Sequence, residues 1–314
     1  MRILVMGAGA LGSVAGGFMA KHGHQVVLVG RTAHMNAISE KGLRVSGIWG
    51  NHQIQDLHSC TTIGQVSGKN FDLILIAVKS YDTAHAVECI APRVGPDTLV
   101  CSYQNGLGNA ETVAQAYGWE RTVGARAIYG VTIQEPGHAK VTVIAQPTAL
   151  GLFTDAGPAG KVQEIAKAMD AAGLPTVFTH QIATKIWAKV AYNCALNPLS
   201  ALLDATYGEL RDTPAAWEIM THVIRELYTV ANARGVPMDP PGAEAYIELF
   251  HDKLVPPTAA HYASMHADLK HRRRTEIDAL NGAIAQFGKA ANLPCPVNNN
   301  LVHLIKARET LASR

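Results

Sequence analysis

The chain has 314 residues, of which 48% are hydrophobic and 17% charged, and its formal net charge is +2 with the histidines counted as neutral. This composition is typical of a globular chain with a large core, and the length suits two domains. The small net charge argues against nucleic acid or an anionic membrane as a partner, and no apolar run reaches the roughly 18 residues that a membrane span needs.

The first part of the chain alternates short apolar runs with helical patterns. Strands are predicted at residues 3–6, 25–30, 72–78 and 98–101, and helices at 11–22, 33–41 and 81–90. The run 72–78 has no polar alternation, which is typical of a parallel strand covered on both faces. Strands that alternate with helices predict an α/β fold with a Rossmann-type, doubly wound sheet.

The pattern changes in the middle of the chain and again after His180. Antiparallel strands are predicted at 131–133 and 139–144, a helix at 161–172 and a last strand at 176–178. Further on, only helices are predicted, at 181–195, 214–234, 242–250, 258–290 and 300–312, with prolines between them. The sequence therefore predicts an N-terminal dinucleotide-binding domain over 1–179 and an all-helical C-terminal domain over 180–314.

Three glycines follow the first predicted strand and open the first predicted helix: Gly7, Gly9 and Gly12. In this context the spacing is typical of a dinucleotide-binding turn, although glycine-rich turns also occur without a ligand. Gly7 permits the turn, Gly9 lets the backbone approach a pyrophosphate, and Gly12 lets the helix pack closely on the sheet. Ala10 and Leu11 then offer the free N–H groups of the first helical turn to the phosphates.

The residue after the second predicted strand distinguishes the two nicotinamide cofactors. An NAD enzyme usually has Asp or Glu there to bond the ribose 2′-hydroxyl, whereas this chain has Gly30-Arg31-Thr32. An arginine suits the 2′-phosphate of NADPH as a charge-assisted partner, so Arg31 predicts NADPH; a solvated surface arginine is the alternative. Lys79 and Asn105 follow two further predicted strands, where open α/β sheets bind ligands, but an Asn-Gly turn alone would also explain Asn105.

Polar residues recur every four positions in two of the predicted helices. Lys189, Asn193 and Asn197 form one stripe in an otherwise apolar segment, where asparagine needs a reason because it is a poor helix former. Such a stripe suits a polar substrate; a solvent-facing stripe is the alternative. A second ridge contains Ser264, Asp268, Arg272 and Glu276, and the basic run 270–274 beside it is interpreted as a solvated face.

The chain resembles the ketopantoate reductase (2-dehydropantoate 2-reductase) family over nearly its whole length. The residues that carry the resemblance are Gly7, Gly9, Gly12, Arg31, Lys79, Asn105, Lys189, Asn193, Asn197, Pro198, Ser264, Asp268 and Glu276. The resemblance implies a Rossmann domain followed by a helical domain, with the site between them. It also implies NADPH-dependent reduction of ketopantoate to D-pantoate in pantothenate biosynthesis.

The resemblance also implies a role for individual residues. Lys189 would be the general acid, and Glu276 would support it and contact the substrate. Asn193, Asn197 and Ser264 would hold the polar groups of the substrate, while Lys79 and Asn105 would complete the cofactor and substrate site. An ammonium beside the keto oxygen is chemically suited to this reaction, because it stabilises the negative charge that grows there and can donate the proton.

Two alternatives remain open at this point. His261 and Tyr262, just before Ser264, are bulkier than a compact dihydroxy acid would favour, so a different 2-oxo acid or an imine is the second hypothesis. A dinucleotide-binding redox sensor without turnover is the third, although a sensor would not need Lys189 and Glu276. The five cysteines form no CxxC pair, which favours a reducing compartment, and we expect a cytoplasmic protein without a metal site. The apolar helical domain makes a homodimer plausible.

Overall fold

The computed structural model describes residues 1–312, so the last two residues of the predicted second domain lie outside the described part. The chain divides into two compact units. The first contains Met1–Gln104 and Asn109–Ile182, and the second contains Asn105–Gly108 and the chain from Ala183 onward. The division at Ile182 compares with the boundary predicted between residues 179 and 180; the assignment of cofactor and substrate functions to the two parts stays a prediction.

The first unit is built on one mixed sheet with helices on both faces. Its strands are β1 (Arg2–Met6), β2 (Gln25–Val29), β3 (Leu43–Gly47), β4 (His52–Ile54), β5 (His58–Cys60), β6 (Leu73–Ile76), β7 (Leu99–Ser102), β8 (Thr122–Glu135), β9 (His138–Leu152) and β10 (Thr176–Phe178). Its helices are α1 (Ala10–Lys21), α2 (Thr32–Lys41), α3 (Thr83–Ile90), α4 (Asn109–Tyr117) and α5 (Ala159–Ala171). The strand order is β4-β3-β9-β8-β7-β6-β1-β2-β5, and β10 pairs with β9.

The centre of this sheet is parallel and buried on both sides. Strand β1 pairs in parallel with β2 and with β6, and β6 with β7. Because successive side chains point to opposite faces, Ile3 and Val5 enter one apolar core while Leu4 enters another. Helices α1 and α5 cover the first core, and α3 and α4 cover the second. The predicted α/β fold with a doubly wound sheet is confirmed.

The edge of the sheet differs from the sequence prediction. The antiparallel pair β8–β9 is much longer than the two short strands predicted, because it continues into the centre of the sheet beside β7. Strands β3, β4 and β5 and helix α4 were not predicted. The three strands have at most five residues each and carry polar side chains; β3 also pairs with β9 and β5 with β2, both far away in the sequence, whereas β4 pairs with the nearby β3.

The second unit is helical, which confirms the predicted all-helical C-terminal part. Its helices are α6 (Ile182–Leu203), α7 (Tyr207–Asp212), α8 (Pro214–Ala233), α9 (Ala243–Leu249), α10 (Ser264–Lys270), α11 (Asn281–Ala290) and α12 (Pro296–Ala312). Helix α6 passes through Pro198 and ends eight residues beyond the predicted end at 195. Within the described residues, no helix is long and apolar enough to cross a membrane.

The single helix predicted over 258–290 is wrong. Helix α10 ends at Lys270, because Arg272 adopts a left-handed conformation with φ of 54°. The amide of Arg273 donates to the carbonyl of Asp268 at 2.8 Å, and that of Arg272 to Leu269 at 3.0 Å, which is the hydrogen-bond pattern of a Schellman cap. Ser264, Asp268, Arg272 and Glu276 therefore do not form one helical ridge, since only the first two belong to α10.

Candidate functional site

The glycine turn between β1 and α1 has the geometry that a dinucleotide phosphate needs. Gly7 has φ of +97°, and a Cβ there would lie 2.5 Å from the backbone nitrogen of Val78. A Cβ on Gly12 would lie 2.5 Å from the carbonyl oxygen of Gly7 and 3.0 Å from Val5, so only glycine lets α1 approach β1 this closely. A Cβ on Gly9 would meet no atom within 4 Å. Each of the three positions thus favours glycine for a different physical reason, and at Gly9 the reason is the open space beside it.

The beginning of α1 is suited to an anion. Gly9 is the N-cap residue, no side chain caps the helix, and the first turn contains no acidic residue. The backbone N–H groups at Ala10 and Leu11 therefore belong to an uncapped helix end that carries a partial positive charge. This end and the open space beside Gly9 together fit a pyrophosphate.

Hydrogen bonds of two buried side chains, Ser13 and His34, support the glycine turn. The hydroxyl of Ser13 donates to the carbonyl of Ala8 at 3.2 Å and lies 3.0 Å from Nε2 of His34. The amide of Gly137 donates to Nδ1 of His34 at 2.9 Å, so the imidazole proton is on Nε2 and donates to Ser13. Burial lowers the pKa of His34, which favours this neutral form. Sequence reasoning missed the contact between Ser13 and His34. The available signal was a serine within a glycine-rich helix.

The predicted cofactor residues follow three adjacent parallel strands at the same edge of the sheet. Met6 pairs with Val29 of β2 and with Ile76 of β6, so the glycine turn, Arg31 and Lys79 all follow carboxyl ends. Arg31 is exposed and is the N-cap residue of α2, and Lys79 is half-buried before a 3₁₀ turn. This edge is where ligands bind in open α/β sheets.

Gly9→Ala and Gly12→Ala are expected to separate cofactor binding from stability. Gly9 has φ of −83° and open space around it, so Gly9→Ala should leave the melting temperature unchanged while the new methyl group weakens NADPH binding, by about tenfold or more. Gly12→Ala should lower the melting temperature, because the methyl group meets the Gly7 carbonyl. Thermal unfolding and fluorescence titration with NADPH measure both. Equal NADPH affinity of Gly9→Ala and the unmodified protein would contradict the assignment of this turn to phosphate.

In the second unit, Lys189 contacts Asn105. The ammonium nitrogen of Lys189, on α6, donates to Oδ1 of Asn105 at 2.6 Å, although the two residues are 84 positions apart. Asn105 begins the tetrapeptide Asn105–Gly108, which belongs to this unit even though the chain on both sides of it belongs to the first. Both residues are half-buried. The carboxamide therefore fixes the direction of one N–H of the ammonium.

Backbone contacts bring the same tetrapeptide to the turn that carries Glu276. The amide of Leu107 donates to the carbonyl of Ala279 at 2.8 Å, and the amide of Ala279 donates to the carbonyl of Glu276 at 3.0 Å. Gly106 has φ of +87°, and a Cβ there would lie 2.5 Å from the oxygen of Ala279, so this approach requires glycine. The turn therefore holds Glu276 in the neighbourhood of the loop that bonds Lys189.

The asparagines of α6 differ in their surroundings. Asn193 is half-buried, and within the described residues its carboxamide has no hydrogen-bond partner, so it is available to a ligand. Asn197 is 6% exposed, and its Oδ1 accepts a hydrogen bond from the hydroxyl of Tyr207 at 3.1 Å. The ring of Tyr207 in turn packs edge-on against that of Tyr192, with centroids 5.8 Å apart. Sequence reasoning missed Tyr207, because α7, where it lies, was not predicted.

Ser264 is exposed as the first residue of α10. The loop before it is held in place because the amide of Ala263 donates to the hydroxyl of Ser200 at 3.1 Å, and the amide of Tyr207 to the carbonyl of His261 at 3.0 Å. Tyr262, which is 49% exposed, stacks on His266 with ring centroids 4.7 Å apart. Asn197, Tyr207 and Ser264 are thus linked through one set of contacts at the end of α6.

Comparison with known proteins identifies the family. The model described as ketopantoate reductase PanE/ApbA matches residues 3–155, and its C-terminal counterpart matches residues 181–309. A relative from Aquifex aeolicus named 2-dehydropantoate 2-reductase is 36% identical over 316 residues, which cover 98% of this chain and 97% of that protein. The chain belongs to the ketopantoate reductase family. It is therefore an oxidoreductase of the kind that acts on a keto group with a nicotinamide cofactor.

Solved structures agree with this family and add a second substrate type. A PanE/ApbA family ketopantoate reductase from Ralstonia eutropha is 30% identical and superposes with a TM-score of 0.88, and the match covers 100% of both chains. A D-mandelate dehydrogenase solved with NADH and anilino(oxo)acetate is 27% identical with a TM-score of 0.87, again over 100% of both chains. The resemblance stated from the sequence is thereby confirmed. The two solved structures also show that proteins with this fold are named for different substrates.

Proposed function

We propose that this protein reduces ketopantoate to D-pantoate with NADPH, which is a step of pantothenate biosynthesis. The observation that carries the proposal is the hydrogen bond between Lys189 and Asn105, since it orients a half-buried ammonium on the helix that, one turn later, carries the half-buried Asn193. The names of the curated relatives support ketopantoate as the substrate. The expected setting is the cytoplasm, and a homodimer is expected from the apolar helical part.

Lys189 acts as the general acid in this proposal. Bound NADPH supplies the hydride that is added to the keto carbon. Negative charge grows on the keto oxygen, and the ammonium of Lys189 stabilises it and transfers a proton, so that the product is an alcohol and the lysine becomes an amine that solvent reprotonates. Asn105 orients the ammonium, and the carboxylate of Glu276 supports its positive charge and contacts the substrate. Asn193, Asn197 and Ser264 hold the carboxylate and hydroxyl groups of the substrate.

NADPH is preferred to NADH in this proposal because Arg31 stands where an NAD enzyme usually has a carboxylate. Its guanidinium is exposed at the end of β2 and suits the 2′-phosphate. The remaining cofactor contacts are assigned to Gly7, Gly9, Ala10, Leu11 and Gly12 for the pyrophosphate and to Lys79 and Asn105 nearer the nicotinamide.

A second candidate substrate is a 2-oxo acid with an apolar or aromatic side chain. Tyr207 occupies the carboxamide oxygen of Asn197, which would otherwise accept a hydrogen bond from a substrate hydroxyl, and it adds an aromatic ring beside it. The likeness to a D-mandelate dehydrogenase agrees with this candidate, since that protein was solved with an aromatic oxo acid.

A substrate panel distinguishes the two candidates. Purified protein is mixed with NADPH and with ketopantoate, 2-oxoisovalerate or phenylglyoxylate, and loss of the reduced-nicotinamide absorbance gives kcat/KM for each. We expect ketopantoate to have the highest value. A higher value for phenylglyoxylate would support the second candidate instead. If all three compounds are inert while NADPH still binds, the reductase assignment fails and a sensor that binds the dinucleotide without turnover is favoured.

A further inference from the structure

Pro198 leaves a gap in the hydrogen bonds of α6. In an α-helix the carbonyl of residue i accepts the N–H of residue i+4, and proline has no N–H. The carbonyl of Cys194 therefore has no helical donor, although α6 continues to Leu203 and Cys194 is completely buried. This carbonyl lies between Asn193 and Asn197, in the turn that presents both amides.

The side chain of Asn281 supplies the missing donor. Nδ2 of Asn281, the first residue of α11, donates to the carbonyl of Cys194 at 3.0 Å and to Oδ1 of Asn298 at 3.0 Å. Both partners are acceptors, so the nitrogen of the carboxamide must face them. The oxygen of the same carboxamide is buried and has no partner among the described residues. A buried acceptor without a partner is unfavourable, which indicates that the two donated bonds decide this orientation.

Asn281 is held in turn by a rigid polar network. Nδ2 of Asn298 donates to Glu226 at 2.7 Å, and the amides of Val297 and Asn298 donate to the same carboxylate at 2.8 and 2.9 Å. Asn281 and Asn298 are both 0% exposed. The network joins α6, α8, α11 and α12, and Asn281 follows Glu276 by five residues. It thus connects the helix that carries Lys189 with the segment that carries Glu276.

We propose that Asn281 is a positioning residue of the reaction, which replaces the backbone donor lost at Pro198 and so fixes the directions of Asn193 and Asn197. The proposal rests on the proposed function for the role of the two amides. The bond between Asn281 and the Cys194 carbonyl is a separate claim that can be measured without substrate. Asn281 itself is completely buried, so the proposed effect on the substrate is indirect and passes through α6.

The test is a double-mutant cycle between residues 198 and 281. Pro198→Ala restores an N–H for the Cys194 carbonyl, so it should make Asn281 partly redundant. In the Pro198 background we expect Asn281→Ala to raise KM for the 2-oxo acid about tenfold, with KM for NADPH changed by less than about twofold. In the Pro198→Ala background the same substitution should change KM by about threefold or less. Equal effects in both backgrounds would overturn the proposal.

Asn298→Ala is the matched control, because it breaks the same network without touching the Cys194 carbonyl. It should lower the melting temperature by the same amount in both backgrounds, whereas Asn281→Ala should lower it less in the Pro198→Ala background. If Asn281→Ala alone does not fold, recovery of folded protein in the double variant supports the proposal, and failure of both contradicts it. If the unmodified protein reduces none of the 2-oxo acids, the proposed function fails, while coupling in the melting temperatures still tests the Asn281 bond.

Discussion

Lys189→Ala is expected to lower kcat for ketopantoate by about 100- to 10,000-fold, which is the range that general-acid and charge-stabilising groups contribute. The methyl group cannot donate a proton to the keto oxygen or stabilise its charge. KM for NADPH should change little, because the proposed phosphate-binding turn belongs to the first unit, whereas Lys189 lies on α6 of the second. Steady-state kinetics with both substrates varied, together with fluorescence titration of NADPH, measure the two effects separately.

Lys185→Ala provides the control on the same helix. Lys185 lies one turn before Lys189 and forms a long ion pair with Asp239, at 3.9 Å, so its loss removes a positive charge from α6 without removing the proposed acid. We expect the kinetics of this variant to match those of the unmodified protein. If Lys189→Ala retained the turnover of Lys185→Ala, Lys189 would not be the acid, and Lys79 would be the next lysine to test.

The sequence predicted the glycine turn well, because its physical requirements are local. Gly7 and Gly12 each meet a constraint set by residues close in the chain or by the adjacent strand, and Gly9 leaves the open space that the spacing predicts for a ligand. The same holds for the central strands, whose apolar runs are long enough to be recognised. A short strand such as β4 has only three residues, too few for an alternating pattern to mark it, although its partner β3 lies close by in the sequence.

The candidate site of the second unit was only partly predictable. The spacing of Lys189, Asn193 and Asn197 predicted one helical stripe, but no periodicity could show that Asn105 pairs with Lys189, since the tetrapeptide that begins at Asn105 belongs to the second unit while the sequence on both sides of it belongs to the first. Likewise, the intervals of four from Ser264 to Glu276 suggested a continuous helix. The left-handed residue that ends α10 is Arg272, whereas glycine is the usual signal of such a cap, so no residue type marked the end of this helix in advance.

The Pro198 gap shows how a local rule can indicate a distant contact. Proline within a helical pattern usually predicts an end or a kink, and the prediction ended this helix at 195. Helix α6 instead continues, because Asn281 satisfies the carbonyl that Pro198 leaves without a donor. A buried asparagine elsewhere in the chain thus supports the helix of Lys189, Asn193 and Asn197 where it passes through the proline.

Arg31→Ala should weaken NADPH binding about tenfold or more and leave NADH binding almost unchanged, because only NADPH has the 2′-phosphate that the guanidinium would bond. Arg31 is exposed, so the difference should shrink as the salt concentration rises. Arg44→Ala is the matched control, since Arg44 is also exposed, on β3 of the same unit. Titration of both dinucleotides at low and high salt measures the effect; an unchanged preference in Arg31→Ala would refute the 2′-phosphate assignment.

Arg31→Asp extends the same argument to a reversal of preference. It places a carboxylate at the end of β2, where NAD enzymes bond the ribose 2′-hydroxyl, and it repels the 2′-phosphate. We expect this variant to bind NADH more tightly than NADPH, although the pyrophosphate turn is unaltered. If it lost affinity for both dinucleotides equally, Arg31 would be needed for the structure of the α2 N-terminus, where it is the N-cap residue, rather than for the choice of cofactor.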